Sequence, residues 1–402
     1  ETINQAVQVK RQAATEFLPK LSASYGYTYL NKVQKRPESM LPVTTPGFGV
    51  TGWALIPEQT LNSRDNYQLK LSAKQPVFTG FALISSYKLA KLGIDQSKME
   101  VELEKLDLAL KVKEAYYDIL IADKAVEVAE KDVVSRKSHV EVVRNFYDVG
   151  MIPINDLLKA EVELANSQQY LVTALNGARL ARAAFNIVLS RDIHAPLEVK
   201  DMPGFEPERG DFGTYQEKAL KNRPEMKVIN IGILSAEQEI RLAQSKFYPE
   251  IGVTFDYIKE GDEPDVSGSP FHESSRYEIG AALTWTFWEW GKTLFSVKEK
   301  MSRRREMIQT KKALEDSIRF ELEDALLGLK TAEENIPTTK KAVKQGEENL
   351  RVNEERYKAQ VTTITEVLDA QTLLTRARVE YYNALYAHRL AKARLLRATG
   401  TY

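Results

Sequence analysis

Two stretches decide the fold of this 402-residue chain: "YDVGMIPINDLLKAEVEL" at residues 147–164 and "YKAQVTTITEVLDAQTLL" at residues 357–374. The identical residues of the two stretches lie 210 positions apart throughout: Tyr147/Tyr357, Ile154/Ile364, Leu158/Leu368, Ala160/Ala370 and Leu164/Leu374. Each stretch interrupts a long charged segment of helical pattern with a short turn. Because the same turn is made twice at a fixed spacing, the sequence predicts a duplicated structural unit.

The duplication extends well beyond the two turns. "ATEFLPKLSASYGYTYL" resembles "AQSKFYPEIGVTFDYI", with Pro19 and Pro249 separated by 230 residues, and "QPVFTGF" aligns with "TFWEWGK" at a separation of 210. The separation of 210 then holds without a gap as far as Ala183/Ala393. The first copy therefore carries 20 extra residues, which fall in the Pro- and Gly-rich stretch 31–66. That composition predicts a loop.

Each copy contains two segments that alternate between apolar and polar residues, at about 20–30 and 66–77 and at about 250–258 and 276–288. Side chains alternate between the two faces of a strand, so each segment predicts a strand with one apolar face. One interpretation is a pair of exposed hairpins packed on helices. The other is a set of membrane strands, since about ten residues cross a bilayer when tilted.

Aromatic residues favour the membrane interpretation, because they gather at strand ends as in an interfacial girdle. The predicted girdle residues are Tyr25, Tyr27, Tyr29, Trp285, Trp288 and Trp290. Unpaired backbone groups cost several kcal/mol each in lipid, so an open sheet edge cannot lie there. Four strands cannot close a barrel, and membrane strands would therefore require several chains to share one.

The remaining pattern is helical. Two long helices are predicted at 82–147 and 292–357, each about 100 Å long at 1.5 Å per residue. Shorter helices return at 155–190 and 365–398, after turns at 148–154 and 358–364, and another helix at 224–246 precedes the third strand. The chain thus divides into a first repeat at 1–193, a link at 194–223 and a second repeat at 224–402. In the first turn, Gly150 and Pro153 suit a left-handed helix stop and a new helix start.

Composition and motifs exclude several classes of function. The 56 basic and 56 acidic residues balance, so nothing favours a nucleic-acid partner, and cysteine is absent. The four histidines, His139, His194, His272 and His388, lack metal-ligand spacing, and no phosphate-binding or nucleophile motif occurs. We therefore expect no enzyme activity, no cofactor and no metal. A soluble long-helix coiled-coil scaffold remains an alternative, although it does not explain the strands.

In this order and twice over, the motifs resemble those of the TolC-like outer-membrane efflux proteins. The resemblance covers nearly the whole chain and rests on both turn sequences together with "FLPKLSASYGY", "ALKNRPEM", "QPVFTGF" and "RLLRATG". It implies a homotrimeric channel-tunnel in the bacterial outer membrane, extending into the periplasm. Each chain would contribute four strands to a shared twelve-stranded β-barrel and its helices to a long periplasmic α-barrel. Residues 194–223 would lie in an equatorial belt.

The function implied by this resemblance is a passive exit duct of a tripartite efflux or type I secretion system. The implied partners are a periplasmic adaptor protein, an inner-membrane pump and the lipid of the outer membrane. The adaptor would dock at the two helix-turn tips, whose residues are Val149, Gly150, Met151, Ile152, Pro153, Gln360, Val361 and Thr362.

The resemblance also implies a gate at the tips. Glu366 and Asp369 match the family's acidic rings, Tyr357 matches its gating tyrosine, and Asp156 matches the acidic partner of that tyrosine. Thr362 stands where the family has an arginine in the same network. Because that cation is missing, we expect this gate to close by different contacts.

Overall fold

A computed structural model describes residues 1–201, 205, 207–271 and 273–401. Four positions of the predicted link (202–204 and 206) and His272 lie outside the described residues. Within the described part, no helix is long and apolar enough to cross a membrane. The chain forms two compact units, Glu1–Ser97 with Ile231–Ile308 and Lys98–Asn230 with Gln309–Tyr402.

The first unit holds a four-stranded antiparallel sheet. Its strands are β1 (Lys20–Tyr29), β6 (Asp65–Thr79), β7 (Glu250–Gly261) and β8 (Ser275–Thr284), in the order β1-β6-β7-β8. The register keeps like residues on one face, because Ser72 lies opposite both Ser22 and Asp256, whereas the neighbouring Ala73 lies opposite Leu21 and Phe255. The sheet therefore has one polar and one apolar face, as the alternation predicts.

The two hairpins of this sheet repeat residue for residue. The ten pairs of β1 with β6 run from Lys20↔Lys74 to Tyr29↔Asp65, and the ten pairs of β7 with β8 run from Glu250↔Thr284 to Lys259↔Ser275. Adding 230 to each β1 number and 210 to each β6 number converts the first set into the second. Both separations found in the sequence are thus confirmed, and the 20 extra residues lie between β1 and β6.

The prediction of a loop at 31–66 is wrong. This stretch contains β2 (Lys35–Arg36), β3 (Ser39–Thr45), β4 (Gly49–Ile56) and β5 (Gln59–Thr60), paired β2 with β5 and β3 with β4. The prolines and glycines mark turns, such as the one at 46–48 with Gly47 at φ +89°, while the β-branched and apolar residues between them pair.

Two other boundaries also differ from the sequence-based expectation. β8 ends at Thr284 rather than near 288, because its partner β7 begins at Glu250, opposite Thr284, and leaves the following residues unpaired. The link 194–223 contains α4 (Phe212–Asn222), which begins where the Asp211 carboxylate accepts a hydrogen bond from the Gly213 amide at 3.0 Å.

Four of the six remaining helices form two pairs of equal length. They are α1 (Thr2–Thr15), α2 (Ala82–Asp148), α3 (Ile154–Val188), α5 (Pro224–Gln244), α6 (Lys292–Lys358) and α7 (Ile364–Ala398). The long helices α2 and α6 have 67 residues each, and the return helices α3 and α7 have 35 each. Equal lengths follow from the ungapped alignment of the two repeats.

The turns from strand to long helix also correspond. Gly80 and Phe81 take φ values of +58° and +70°, and the equivalent residues Trp290 and Gly291 take +50° and +84°. Each copy therefore leaves its sheet through two consecutive left-handed residues, only one of which is a glycine. Left-handed backbone costs a residue other than glycine about 1–2 kcal/mol, so both turns carry strain that the surrounding packing offsets.

Ion pairs of Arg223 and Arg397 connect the link, α5, α6 and α7 in the second unit. Arg223, which is 3% exposed, contacts Glu321 on α6 and Glu225 on α5, each at 2.6 Å. Arg397 near the end of α7 reaches the same Glu321 at 3.1 Å. A cluster of Leu322, Leu329, Leu395 and Ala398, extended by residues of α4, packs in the same unit.

We predict that Gly80→Ala destabilises the first unit by about 2 kcal/mol or more, from the left-handed φ and a steric clash. A Cβ atom at Gly80 would lie 2.3 Å from the backbone oxygen of Ser245 and 3.0 Å from the Cβ of Tyr248. Thermal unfolding in detergent, followed by circular dichroism, should show a lower midpoint. The control is Gly93→Ala in α2, where an added Cβ meets nothing within 4 Å. An unchanged midpoint for Gly80→Ala would contradict the close approach.

Candidate functional site: the paired helix tips

The two tips stop their long helices with the same hydrogen bonds. In the first, the Gly150 amide donates to the Tyr147 carbonyl at 2.8 Å; in the second, the Gln360 amide donates to the Tyr357 carbonyl at 2.9 Å. Gly150 has φ +77° and Gln360 has φ +59°. The second tip thus holds a glutamine in the left-handed conformation that glycine takes in the first.

The tips are held side by side by one apolar cluster in the second unit. All four tip helices contribute to it: Val140 and Val143 from α2, Leu157 and Ala160 from α3, Tyr357 from α6, and Ile364 and Val367 from α7. A cleft of about 500 Å³ between the tips is lined by residues of both, including Met151, Pro153, Asp156, Gln360 and Thr362. The structure therefore brings both predicted docking turns and two of the predicted gate residues to one place.

Tyr357 lies inside this cluster rather than at its surface. Its side chain is 5% exposed, and its ring centre is 5.5 Å from that of His139 and 5.8 Å from that of Phe146. Burial raises the pKa of the Tyr357 hydroxyl, and the negative charge of Asp156 raises it further. The hydroxyl has no hydrogen-bond partner among the described residues. Asp156 thus acts on Tyr357 through its charge, without a hydrogen bond.

The predicted acidic pair is exposed at the start of α7. Glu366 and Asp369 are one helical turn apart, and the residues next to them, Val367 and Ala370, are buried. Neither carboxylate forms an ion pair within the described part of the chain. Asp369 borders a groove between α3 and α7 that also includes Lys159. Both carboxylates are therefore open to solvent.

The tip turns present apolar side chains to solvent. Val149, Met151 and Val361 are 70%, 51% and 63% exposed. Of the other predicted docking residues, Gly150, Pro153 and Gln360 are exposed, whereas Ile152 and Thr362 are half-buried, and Ile152 packs against the tip cluster. Single exposed apolar residues are common, but three on two adjoining turns form a small apolar patch.

A buried charge network near the tips was missed by the sequence analysis. Arg136 of α2 is 6% exposed and donates to Asp132 at 2.9 Å, to Glu163 of α3 at 3.0 Å and to Thr372 of α7 at 3.1 Å. Thr375 of α7 donates to Asp132 at 2.6 Å. The network joins three helices. Its only signal in the sequence is the spacing of Asp132 and Arg136, which exposed helical pairs share.

His139, whose ring lies next to that of Tyr357, is another buried polar residue near the tips. It is 7% exposed, and its Nε2 atom has no hydrogen-bond partner among the described residues. Burial, with the positive charges of Arg136 and Lys358, lowers the pKa of His139 to about 4. The imidazole is therefore neutral at physiological pH.

The predicted girdle residues lie in two groups at opposite ends of the sheet. Tyr25, Tyr27 and Tyr29 occupy the half of β1 remote from the helices and are 54%, 52% and 57% exposed. Trp285, Trp288 and Trp290 follow β8, next to α6, and are 53%, 65% and 85% exposed. The Trp285 Nε1 atom donates to the Phe247 carbonyl at 3.1 Å, which ties this group to the segment before β7.

Comparison with known proteins identifies the family. The profile of the outer membrane efflux proteins matches residues 3–187 and 216–401, which is most of the chain and corresponds to its two repeats. One relative is the outer membrane efflux protein BepC of Brucella suis biovar 1 (strain 1330). It is 20% identical over 338 residues, which cover 82% of this chain and 71% of BepC.

Solved structures share the fold. The outer-membrane channel CmeC of Campylobacter jejuni is 17% identical with a TM-score of 0.79, and the match covers 99% of this chain and 81% of CmeC. The outer membrane protein VceC of Vibrio cholerae is 18% identical with a TM-score of 0.77, covering 100% of this chain and 91% of VceC. The predicted fold class is thereby confirmed. The chain belongs to the outer membrane efflux protein family, and it is an outer-membrane exit duct for efflux rather than an enzyme.

Proposed function

We propose that three copies of this chain form the duct by closing their sheets into one twelve-stranded β-barrel. The observation that carries the proposal is the open sheet: among the described residues, the outer edges of β1 and β8 pair with no other strand. In lipid, each unpaired backbone group costs several kcal/mol. A ring of copies removes every edge by pairing β8 of one copy with β1 of the next.

The two faces of the sheet support this arrangement. The apolar face is well exposed, with Leu21 at 81%, Ile279 at 71% and Leu283 at 63%, and it suits contact with lipid. The polar face carries ion pairs such as Lys70 with Asp256 at 2.9 Å, and it suits a water-filled lumen. The Tyr25 and Trp285 groups at the two ends then serve as the two aromatic girdles in outer-membrane lipid. A soluble scaffold would leave the apolar face without a partner.

The helices form the periplasmic part of the proposed duct, with 194–223 in its equatorial belt. Family membership implies work with adaptor and pump partners. We place the adaptor at the tips, where Val149, Met151 and Val361 form the exposed apolar patch. An inner-membrane pump drives transport through the adaptor, and the duct itself is passive. The arrangement fits either a tripartite efflux system or a type I secretion system.

The gate of the proposed duct combines an acidic ring with a packed tip. Three copies of Glu366 and Asp369 place carboxylates around one axis, and a ring of negative charge favours cations over anions. Tyr357 holds the tip by packing, since its hydroxyl makes no hydrogen bond among the described residues. With Thr362 in place of the family arginine, the closed tip depends on the apolar cluster around Tyr357 rather than on ion pairs at that position.

We predict that the protein purified in detergent has the mass of a trimer and conducts cations in planar bilayers. Glu366→Ala combined with Asp369→Ala should lower the cation-to-anion permeability ratio several-fold, because it removes six carboxylates from the ring. The measurement is the reversal potential in a salt gradient.

The matched control removes the same charge elsewhere. Glu217→Ala combined with Glu334→Ala changes two exposed carboxylates away from the tips and should leave the permeability ratio unaltered. A monomer that needs no detergent and does not conduct would refute the duct assembly. An equal effect of both double variants would show that net charge, and not the acidic ring, sets the selectivity.

We predict that Tyr357→Phe leaves the closed-state conductance unchanged, because the hydroxyl it removes has no hydrogen bond to lose. Its stability should be equal or higher by up to about 1 kcal/mol, since an unsatisfied buried polar group is eliminated. Tyr357→Ala leaves a cavity instead and should cost about 3–5 kcal/mol and raise the conductance. If Tyr357→Phe opens the channel as far as Tyr357→Ala does, a hydrogen bond of the hydroxyl holds the gate.

We predict that acid weakens the tip through His139. Because folding lowers the pKa of His139 from 6.5 to about 4, the unfolded chain binds the proton more readily below pH 6.5. Stability is therefore complete above pH 6.5 and declines as pH falls toward 4, by about 3 kcal/mol at most. Unfolding midpoints at pH 7.5 and 4.5 measure this loss. His139→Gln should reduce the difference between the two midpoints, and an identical difference would exclude His139 as its source.

A further inference from the structure

A basic groove lies between α5 and α6 in the first unit, close to the end of the sheet that adjoins the helices. Its volume is about 800 Å³, and its lining carries four cationic side chains and one carboxylate. The groove reaches Gln244, the last residue of α5. Phe247, whose carbonyl accepts the hydrogen bond from Trp285, follows three residues later. The groove therefore begins next to the aromatic residues at this end of the sheet.

Three of the four cations in this groove are not neutralised within the chain. The single carboxylate, Glu237, is taken up by Arg304, which contacts it at 2.8 Å. Arg241, Lys298 and Arg305 are exposed, and none of them forms an ion pair with any residue that the structure describes. The groove thus keeps a surplus of positive charge, which suits a phosphate-bearing ligand.

Two of these cations lie one headgroup layer away from the exposed apolar residues. Arg241 comes six residues before the exposed Phe247, and Lys298 comes four residues after the exposed Leu294. At the rise of a helix, these spacings are about 6–10 Å. The headgroup layer on each side of a bilayer is about 5–8 Å thick. Arg241 and Lys298 therefore lie at the level of lipid phosphates, whereas Arg305, about 16 Å from Leu294, lies beyond that level.

The first repeat places the same two cations at the same positions. Arg11 precedes Arg241 by 230 residues and Lys88 precedes Lys298 by 210, which are the two separations that relate the repeats. Arg11 and Lys88 are exposed as well, and neither forms an ion pair within the described part of the chain. The pair of unpaired cations is thus a feature of both repeats.

The apolar residues next to each pair of cations are repeated too. Phe17 and Phe247 are 38% and 47% exposed, and Ile84 and Leu294 are 44% and 47% exposed. The ion pair inside the groove is not repeated, because Val7 takes the place of its carboxylate. The two repeats have therefore diverged nearby while keeping exposed apolar residues and unpaired cations at matching heights.

We propose that these cation pairs bind the phosphate groups of anionic phospholipids in the membrane leaflet next to the helices. In the second repeat, the Arg241 guanidinium and the Lys298 ammonium hold the phosphate, while Phe247 and Leu294 contact the acyl chains. The long side chains of both cations can extend toward the headgroups. The proposal rests on the proposed position of the sheet in the membrane.

The position of the cations favours a lipid over a free anion. Exposed cations hold a free phosphate weakly, because salt screens their charge. A lipid phosphate is kept at the bilayer surface by its acyl chains, and each Lys or Arg near that surface strengthens binding to anionic lipid. Apolar residues within one headgroup thickness of both cation pairs have a role in binding a lipid and none in binding phosphate alone.

Native mass spectrometry of the detergent-purified, lipid-depleted protein tests the choice of ligand. Phosphatidylglycerol, which is anionic, should bind at concentrations about ten-fold or more below those needed for zwitterionic phosphatidylcholine, since two cations face each phosphate. Equal binding of the two lipids would overturn the proposal. Inorganic phosphate should displace no more lipid than chloride does at the same ionic strength. Specific displacement by phosphate would identify a free-anion site and overturn the assignment to lipid.

Variants that remove the charges test the place of binding. Arg241→Gln combined with Lys298→Gln should halve the number of phosphatidylglycerol molecules retained by each protein. Adding Arg11→Gln and Lys88→Gln should abolish the preference for the anionic lipid. All four side chains are exposed and without ion pairs among the described residues, so the variants should fold normally.

The matched control removes the same charge far from the sheet. Lys340→Gln combined with Lys341→Gln changes two exposed cations of α6, about 60 Å along the helix from Lys298. This control should bind phosphatidylglycerol as the unmodified protein does. Equal losses in the control and in the groove variant would show a dependence on net charge alone and would overturn the site.

Mass and conductance separate this proposal from the proposed duct. A conducting trimer without any preference for phosphatidylglycerol would overturn the lipid site and leave the duct in place. A monomer that does not conduct would overturn the duct, and with it the membrane position on which the lipid site rests.

Discussion

Backbone hydrogen bonding at the edges of the sheet is the constraint on which the rest of the molecule depends. The sheet of one chain satisfies the amides and carbonyls between β1, β6, β7 and β8 and leaves one edge of β1 and one of β8 unpaired. Water can satisfy such edges, but lipid cannot. In the proposed duct, further copies of the chain close the sheet. The proposed roles of the apolar face and of the aromatic residues at the two ends of the sheet both depend on that closure.

Closure into the proposed ring would also explain why the duplication is so regular. The hairpins share one register, the long helices share a length of 67 residues and the return helices a length of 35. In the proposed ring of six repeats, each repeat would have to fit the next both within and between chains. An insertion in a helix or strand would break that fit at every seam. The 20 additional residues are tolerated between β1 and β6 because they lie outside the repeating contacts.

Much of this architecture could be predicted from the sequence, because periodicity and repetition are strong signals. The two-residue alternation located the four strands, and the spacing of 210 located the tips. The end of β8 could not be predicted, since Trp285 and Phe287 continue the alternation while the pairing partner within the chain is missing. The burial of Arg136 and His139 could not be predicted either, because the polar pattern of α2 does not distinguish buried polar residues from exposed ones.

In the proposed gate, apolar packing takes the place of the ion pairs that the family resemblance implies. Tyr357, which the family resemblance matches to a gating tyrosine, is buried among Val143, Leu157 and Val367, and its hydroxyl has no hydrogen-bond partner among the described residues. A hydrogen bond to Asp156 would stabilise a closed tip by about 1.5–3 kcal/mol, as bonds to charged groups do. Burial of one aromatic ring contributes a comparable amount. In the proposed gate, Thr362 in place of the family arginine therefore does not by itself weaken closure, provided that the tip retains its apolar cluster. Opening such a tip separates packed side chains. The energy barrier to opening therefore depends on how much apolar surface is exposed, and not on how many ion pairs are broken.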